Sequence, residues 1–214
     1  MPRWHVMVAG ACPGRLWPKD RDRFVFLAEL RGALRREGAG CLGYCLLGGS
    51  GHLVLEAPGA EPLRRAVEHA CSGYGRYWRG WYAWGRRVFR PARAAAVPEE
   101  LLWDLLAHVE TAPVRAGLAA AAEDYRWSSA AAHAGWGQSY LPVEMEAWEA
   151  CWSCARWRGH LAGWGMDLRR MKAVARLLEG ARPLRVLAAP AAEPSPGPLL
   201  LPAIRAARAA GGWA

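Results

Sequence analysis

Cys41-Leu42-Gly43-Tyr44-Cys45-Leu46-Leu47-Gly48-Gly49-Ser50-Gly51-His52-Leu53-Val54-Leu55-Glu56 reads as a β-hairpin. Cys41 to Leu47 is one strand, Gly48-Gly49 the turn, and Gly51 to Glu56 the second strand. Gly38 to Leu55 contains no Asp, Glu, Lys or Arg. Its glycines break that stretch into two short strands, so it is not a membrane span.

Working toward the N-terminus, Asp20 is placed to cap a helix whose apolar residues Phe24, Leu27, Leu30 and Leu34 recur at helical spacing. Gly38, after Arg35-Arg36-Glu37, ends it. Before it, Pro13-Gly14 turns the chain after a strand over Trp4 to Ala9. Working toward the C-terminus, Pro62 opens a second helix, Leu63 to Cys71, running on into the Tyr74 region. Arg87 to Val97 is extended, with Pro91 marking an edge or a bulge. Pro98-Glu99-Glu100 starts another helix, with carboxylates at its positive end. Leu101, Leu102, Leu105, Leu106 and Val109 give it an apolar face, and Pro113 is expected to stop it. The order is β-α-β-β-α-β followed by a helix. It predicts an α+β, ferredoxin-like antiparallel sheet with helices on one face.

Three units are expected: 1–135 for this domain, 136–182 for a helical extension, and 183–214 for a Pro/Ala-rich tail. The extension holds helices over Met145 to Leu161 and Leu168 to Leu178. The tail carries Pro190, Pro194, Pro196, Pro198 and Pro202.

The 214 residues carry 28 basic against 19 acidic side chains, a net charge of +9. Only Lys19 and Lys172 are lysines. Apolar residues make up 53%, too many for a chain disordered throughout. The N-terminus makes a poor signal peptide, so a cytoplasmic protein with no membrane partner is expected. The six cysteines fit reduced thiols. The charge points to a polyanion.

That charge is concentrated. Between Cys71 and Val97 there is no Asp or Glu, but there are Arg76, Arg79, Arg86, Arg87, Arg90 and Arg93. Among them stand Tyr74, Tyr77, Trp78, Trp81, Tyr82, Trp84 and Phe89. Arginine neutralises phosphates and flat rings stack on unpaired bases, so this segment reads as a surface for single-stranded or hairpin nucleic acid. The competing reading is a helix with an aromatic core stripe and a solvated arginine face.

Pro113-Val114-Arg115-Ala116-Gly117-Leu118, followed by Glu123-Asp124-Tyr125-Arg126-Trp127-Ser128-Ser129, closely resembles a block of the IS200-like single-tyrosine transposases, in their REP-associated branch. Trp4-His5-Val6, Asp20-Arg21-Asp22-Arg23-Phe24 and the hairpin resemble the same family, so the resemblance spans about residues 3 to 135. It implies the same ferredoxin-like sheet, a DNA partner with hairpin recognition, and a homodimer. It also implies an active site with two histidines on a strand holding a divalent metal, usually Mg²⁺ with Mn²⁺ possible. A helix tyrosine attacks the DNA phosphate, and an amide four residues later completes the metal site.

Carried onto this chain, the first metal histidine falls on Ser50 and its apolar spacer on Gly51. The second histidine is kept as His52. The nucleophile falls on His108 and the amide ligand on Ala112. Imidazole at His108 can in principle attack phosphorus, but Ser50 and His52 make a poor Mg²⁺ site. Glu110 lies about 200° around the helix from His108.

The remaining candidates read as structural. Cys151 and Cys154 are expected as buried neighbours on one helix, and Cys41 and Cys45 on one face of a strand. His5 has no visible partner. Trp148, Trp152 and Trp157 with Leu161 are expected to pack a small helical unit. Three functions follow from the sequence. One is a DNA-binding protein of this family with cleavage weakened or lost. A second is an active nickase with an altered site, and the third is a dimeric RNA-binding or structural module.

Overall fold

The computed structural model describes residues 1–12, 16–82 and 87–184. The Pro13-Gly14 turn, Trp84, Arg86 and residues 185–214 lie outside the described residues.

The chain runs β1 (Arg3–Ala9), α1 (Asp20–Arg36), β2 (Gly40–Leu46), β3 (Ser50–Glu56), α2 (Ala60–Tyr82), β4 (Arg93–Ala96). It continues through a 3₁₀ turn (Glu99–Leu101), α3 (Leu102–Glu110), α4 (Ala112–Arg115), α5 (Ala130–His133), α6 (Glu146–Glu149), α7 (Cys154–Gly163), α8 (Leu168–Glu179) and β5 (Arg182–Pro183). The sheet order is β2-β3-β1-β4-β5, antiparallel throughout. Its first four strands have the expected βαββαβ arrangement, and β5 adds an edge. No helix among the described residues is long and apolar enough to cross a membrane.

Local chemistry accounts for most boundaries. At the end of α1, Gly38 takes a positive φ of 61°. Its N–H donates to the Arg35 carbonyl and the Ala39 N–H to the Leu34 carbonyl, a Schellman stop. The start of α1 differs from expectation by one residue. Asp20 lies inside the helix, and Asp22 accepts the Lys19 backbone N–H at 2.8 Å. Phe24 was expected in the core but is 41% exposed, and Phe26 is buried in its stead. At about 100° per residue, Leu27, Leu34, Leu30, Phe26 and Ala33 form one stripe. Phe24 stands about 120° from its centre.

The helix α2 runs past Cys71 to Tyr82 because its buried stripe continues through Leu63, Val67, Ala70, Tyr74 and Trp78. Pro113 does not end the helical run. It sits in the first turn of α4, where its missing N–H costs nothing.

Both faces of the sheet are covered. On one, α1 and α2 pack with Val6, Val8, Tyr44, Leu46, Leu53 and Leu55 around Phe26 and Tyr74. On the other, Leu42, Cys45 and Val54 meet α3 through Leu102, Leu105 and Leu106. Trp148, Trp157, Leu161, Trp164 and Val174 join that second cluster. The C-terminal helices therefore close the open face of the sheet instead of forming a core of their own.

Two cysteine expectations fail here. A bulge between Cys41 and Gly43 shifts the β2 register, so Cys41 and Cys45 point to opposite faces. The helix expected from Met145 breaks between α6 and α7. Cys151 lies exposed at that break and Cys154 is partly buried at the start of α7.

Candidate nucleic-acid interface and histidine site

The aromatic half of the 71–97 segment belongs mostly to the core. Tyr74 is fully buried and its hydroxyl donates to the Leu16 carbonyl at 2.6 Å. Its ring contacts Phe26, Phe89 and Trp78. Tyr74 therefore offers no exposed ring face for stacking, which corrects its assignment as a stacking residue. The acidic partner missing from the segment comes from α1. The buried carboxylate of Asp22 accepts the Tyr77 hydroxyl at 2.7 Å and the Tyr82 hydroxyl at 2.8 Å. Trp81 is half-buried beneath the Arg21 guanidinium, 3.5 Å from its ring centre.

The arginines divide differently. Arg76, Arg79, Arg87 and Arg90 are exposed, and no carboxylate lies within ion-pair distance of them among the described residues. Arg93 is committed elsewhere, donating twice to the Ala181 carbonyl at 2.6 and 3.1 Å and tying β4 to the chain before β5.

The family-site positions gather on the opposite face. Antiparallel pairing sets His5 opposite Val54 and Met7 opposite His52, so His5, His52 and Val54 share one side of the sheet. His5 does have a partner: its Nε2 lies 3.1 Å from His52 Nδ1. His5 Nδ1 is buried and unpartnered. A buried lone pair is cheaper to leave unmade than a buried N–H, so His5 Nε2 donates and His52 Nδ1 accepts. Burial holds both rings neutral, lowering His5 to about 3 and His52 to about 4. At the family's spacer position, a side chain at Gly51 would press on Leu46, Trp17 and Val8. The buried indole of Trp17 fills that space.

His108, on α3, lies close enough to the same pair for a charge on one ring to disfavour a charge on another. Its nearest partner is Arg115, on α4. The guanidinium donates to His108 Nε2 at 3.2 Å, to the His108 carbonyl at 2.8 Å and to Thr111 Oγ1 at 2.6 Å. Arginine has no lone pair to offer, so Nε2 carries the acceptor lone pair and Nδ1 the proton. Burial first, then the Arg115 charge, lowers His108 to about 3. Arg115 is seven residues from His108, nearly two helical turns, so both lie on one face. That spacing was available in the sequence, whereas the His5–His52 pair depends on strand register.

These side chains do not suit the divalent ion implied by the resemblance. Ser50 offers a neutral hydroxyl, Ala112 no donor at all, and His52 Nδ1 is taken by His5. A guanidinium adds positive charge beside His108. Mg²⁺ selects carboxylate and phosphate oxygens. Among the described residues no three His, Cys, Asp or Glu side chains meet as a metal site.

Glu110 points the other way, into the second core. Its Oε1 accepts the Ser129 hydroxyl at 2.5 Å and His133 Nδ1 at 2.6 Å, while Oε2 accepts the Trp157 indole N–H at 2.9 Å. Glu110, Ser129 and His133 are fully buried. The network locks α3 to α5 and α7 and so fixes the face that carries His108.

No protein-family model and no curated protein matches the chain. Among solved structures it is similar to a REP-associated tyrosine transposase bound to a REP hairpin. The identity is 10% and the TM-score 0.50, over 67% of this chain and 86% of the other. The chain thus has the fold of a REP-associated tyrosine transposase, with His108 and Arg115 paired where the resemblance places the nucleophile.

Proposed function

We propose that this protein binds hairpin or single-stranded DNA through the arginine face of α2 and the segment after it, with strand cleavage weakened or lost. The observation that carries this reading is the set Arg76, Arg79, Arg87 and Arg90, exposed without acidic partners among the described residues. A rigid aromatic layer beneath holds the α2 part of that face in place. The similar solved structure is bound to a REP hairpin, which supports a hairpin ligand here. Loss of cleavage is supported by the His108 lone pair engaged by Arg115 and by the poor metal donors at Ser50 and Ala112.

The test is anisotropy of a labelled DNA hairpin against salt, with an RNA hairpin of the same sequence in parallel. Neutralising phosphates releases counterions, so affinity is expected to fall steeply with salt, and the proposed DNA ligand is expected to bind more tightly than the RNA. A flat salt response overturns the reading, and tighter RNA binding favours the RNA-binding alternative. Sedimentation of the free chain tests the expected homodimer.

A further inference from the structure

Phe24, left outside the core stripe of α1, forms part of a second aromatic cluster. Its ring meets Trp127 at 5.0 Å and Tyr140 at 4.8 Å between centres, and Trp127 and Tyr140 lie 5.2 Å apart. Trp127 is buried and forms the floor, while Phe24 and Tyr140 are 41% and 42% exposed. Two arginines border the rings. The Arg126 guanidinium lies 4.8 Å from the Trp127 ring centre and 5.7 Å from that of Tyr140, and Arg23 lies 5.2 Å from Trp127.

The cluster is held still. Arg126 donates to the Tyr140 hydroxyl at 3.0 Å, and the Leu46 N–H donates to the Trp127 carbonyl at 2.9 Å. Asp20 pairs with both Arg126 and Arg23, leaving the group with one net positive charge. The cluster sits between the end of β2, beside the turn leading to Ser50, and the start of α1. That helix start adjoins the arginine face through Asp22 and its bonds to Tyr77 and Tyr82.

We infer that Phe24 and Tyr140, whose rings stand at 84° to each other, form a corner platform for an unpaired nucleobase, one ring stacking on its face and the other meeting its edge, with Arg126 beside it to meet the adjoining phosphate. This rests on the DNA-binding reading and adds a contact away from the 71–97 segment. Pre-positioned rings with an adjacent arginine suit a base, which offers a flat face and a flanking negative charge. An apolar protein partner would use the rings but leave the one net positive charge of the group uncompensated.

The test uses the full chain with a short single-stranded oligonucleotide carrying 2-aminopurine and with a blunt duplex. The wild type is expected to bind the single strand and quench its fluorescence. Phe24→Ala/Tyr140→Ala is expected to lose affinity for the single strand by on the order of tenfold, and the quench with it. Duplex affinity should move less than about twofold. Tyr140→Phe keeps the ring and should stay near wild type, and Tyr140→Ala alone carries the test if the double variant misfolds. Equal loss on both probes, or unchanged binding and quench, overturns the platform while leaving DNA binding intact. A wild type that binds neither probe overturns the DNA-binding reading itself. A self-association that the double variant abolishes, with oligonucleotide binding unchanged, makes the rings an interface between copies and also overturns the platform.

Discussion

Arg115 donates to His108 at both the ring Nε2, 3.2 Å away, and the backbone carbonyl, 2.8 Å away. The pair leaves the imidazole with its lone pair engaged and its proton on the opposite nitrogen. A nucleophile needs a free lone pair and an adjacent base. No covalent protein–DNA adduct is therefore expected on hairpin-bearing single strands with Mg²⁺ or Mn²⁺, and His108→Ala should bind DNA as well as the wild type. Denaturing gels read the outcome. A wild-type adduct that disappears in His108→Ala would establish the active-nickase alternative.

The arginine face and the aromatic layer beneath it separate by measurement. Arg76→Ala or Arg79→Ala should leave thermal stability nearly unchanged and lower the salt slope of binding by about 0.7–0.9 each. Tyr74→Ala should do the reverse first, destabilising the fold by about 3–5 kcal/mol through the cavity it leaves. Equal effects of both kinds of variant on stability would contradict the division.

Glu110 satisfies three buried donors at once. Glu110→Ala strands the Ser129 hydroxyl, the His133 N–H and the Trp157 N–H in an apolar core, and should cost about 3–5 kcal/mol in denaturant unfolding. Glu110→Gln keeps an acceptor and should cost less. A loss under about 1 kcal/mol for Glu110→Ala would show that the C-terminal helices are not held this way.

Stability should also fall as the solution is acidified. His5 and His108 are lowered to about 3 and His52 to about 4. From pH 6.5 downward the unfolded chain takes up protons at these histidines while the folded chain does not. Each contributes stability that is present above its unfolded pKa and is lost as pH falls toward its folded value. The slope is at most about 1.4 kcal/mol per pH unit for each ring. Unfolding midpoints measured between pH 7 and 4 check this. His52→Gln should flatten the profile, and an unchanged profile would show that His52 is not held neutral.

Local chemistry in the sequence determined the order of elements and most of their limits. Gly38 could end α1 because a glycine takes positive φ without strain. The 41–56 hairpin and the β-α-β-β-α-β order followed from short apolar runs separated by turn residues, and that order already names a sheet topology. Counting along the sequence set Ser50, His108 and Ala112 against the site positions that the resemblance implies. Near misses, such as Phe24 on the core stripe, came from reading a spacing without its angle.

Tertiary structure alone decided what those residues do. The bulge at Cys41–Gly43 turned one cysteine to each face, and no period-two reading contains a bulge. Asp22 became the counterpart of Tyr77 and Tyr82 across 55 and 60 residues, which sent the aromatics inward and left the arginines in solvent. The sheet's second face gave the tryptophans of the C-terminal helices a core to fill, and Glu110 a place to be buried with its donors. Register brought His5 to His52. Secondary structure is set by neighbours along the chain, whereas hydrogen-bond partners inside a core are set by which surfaces meet.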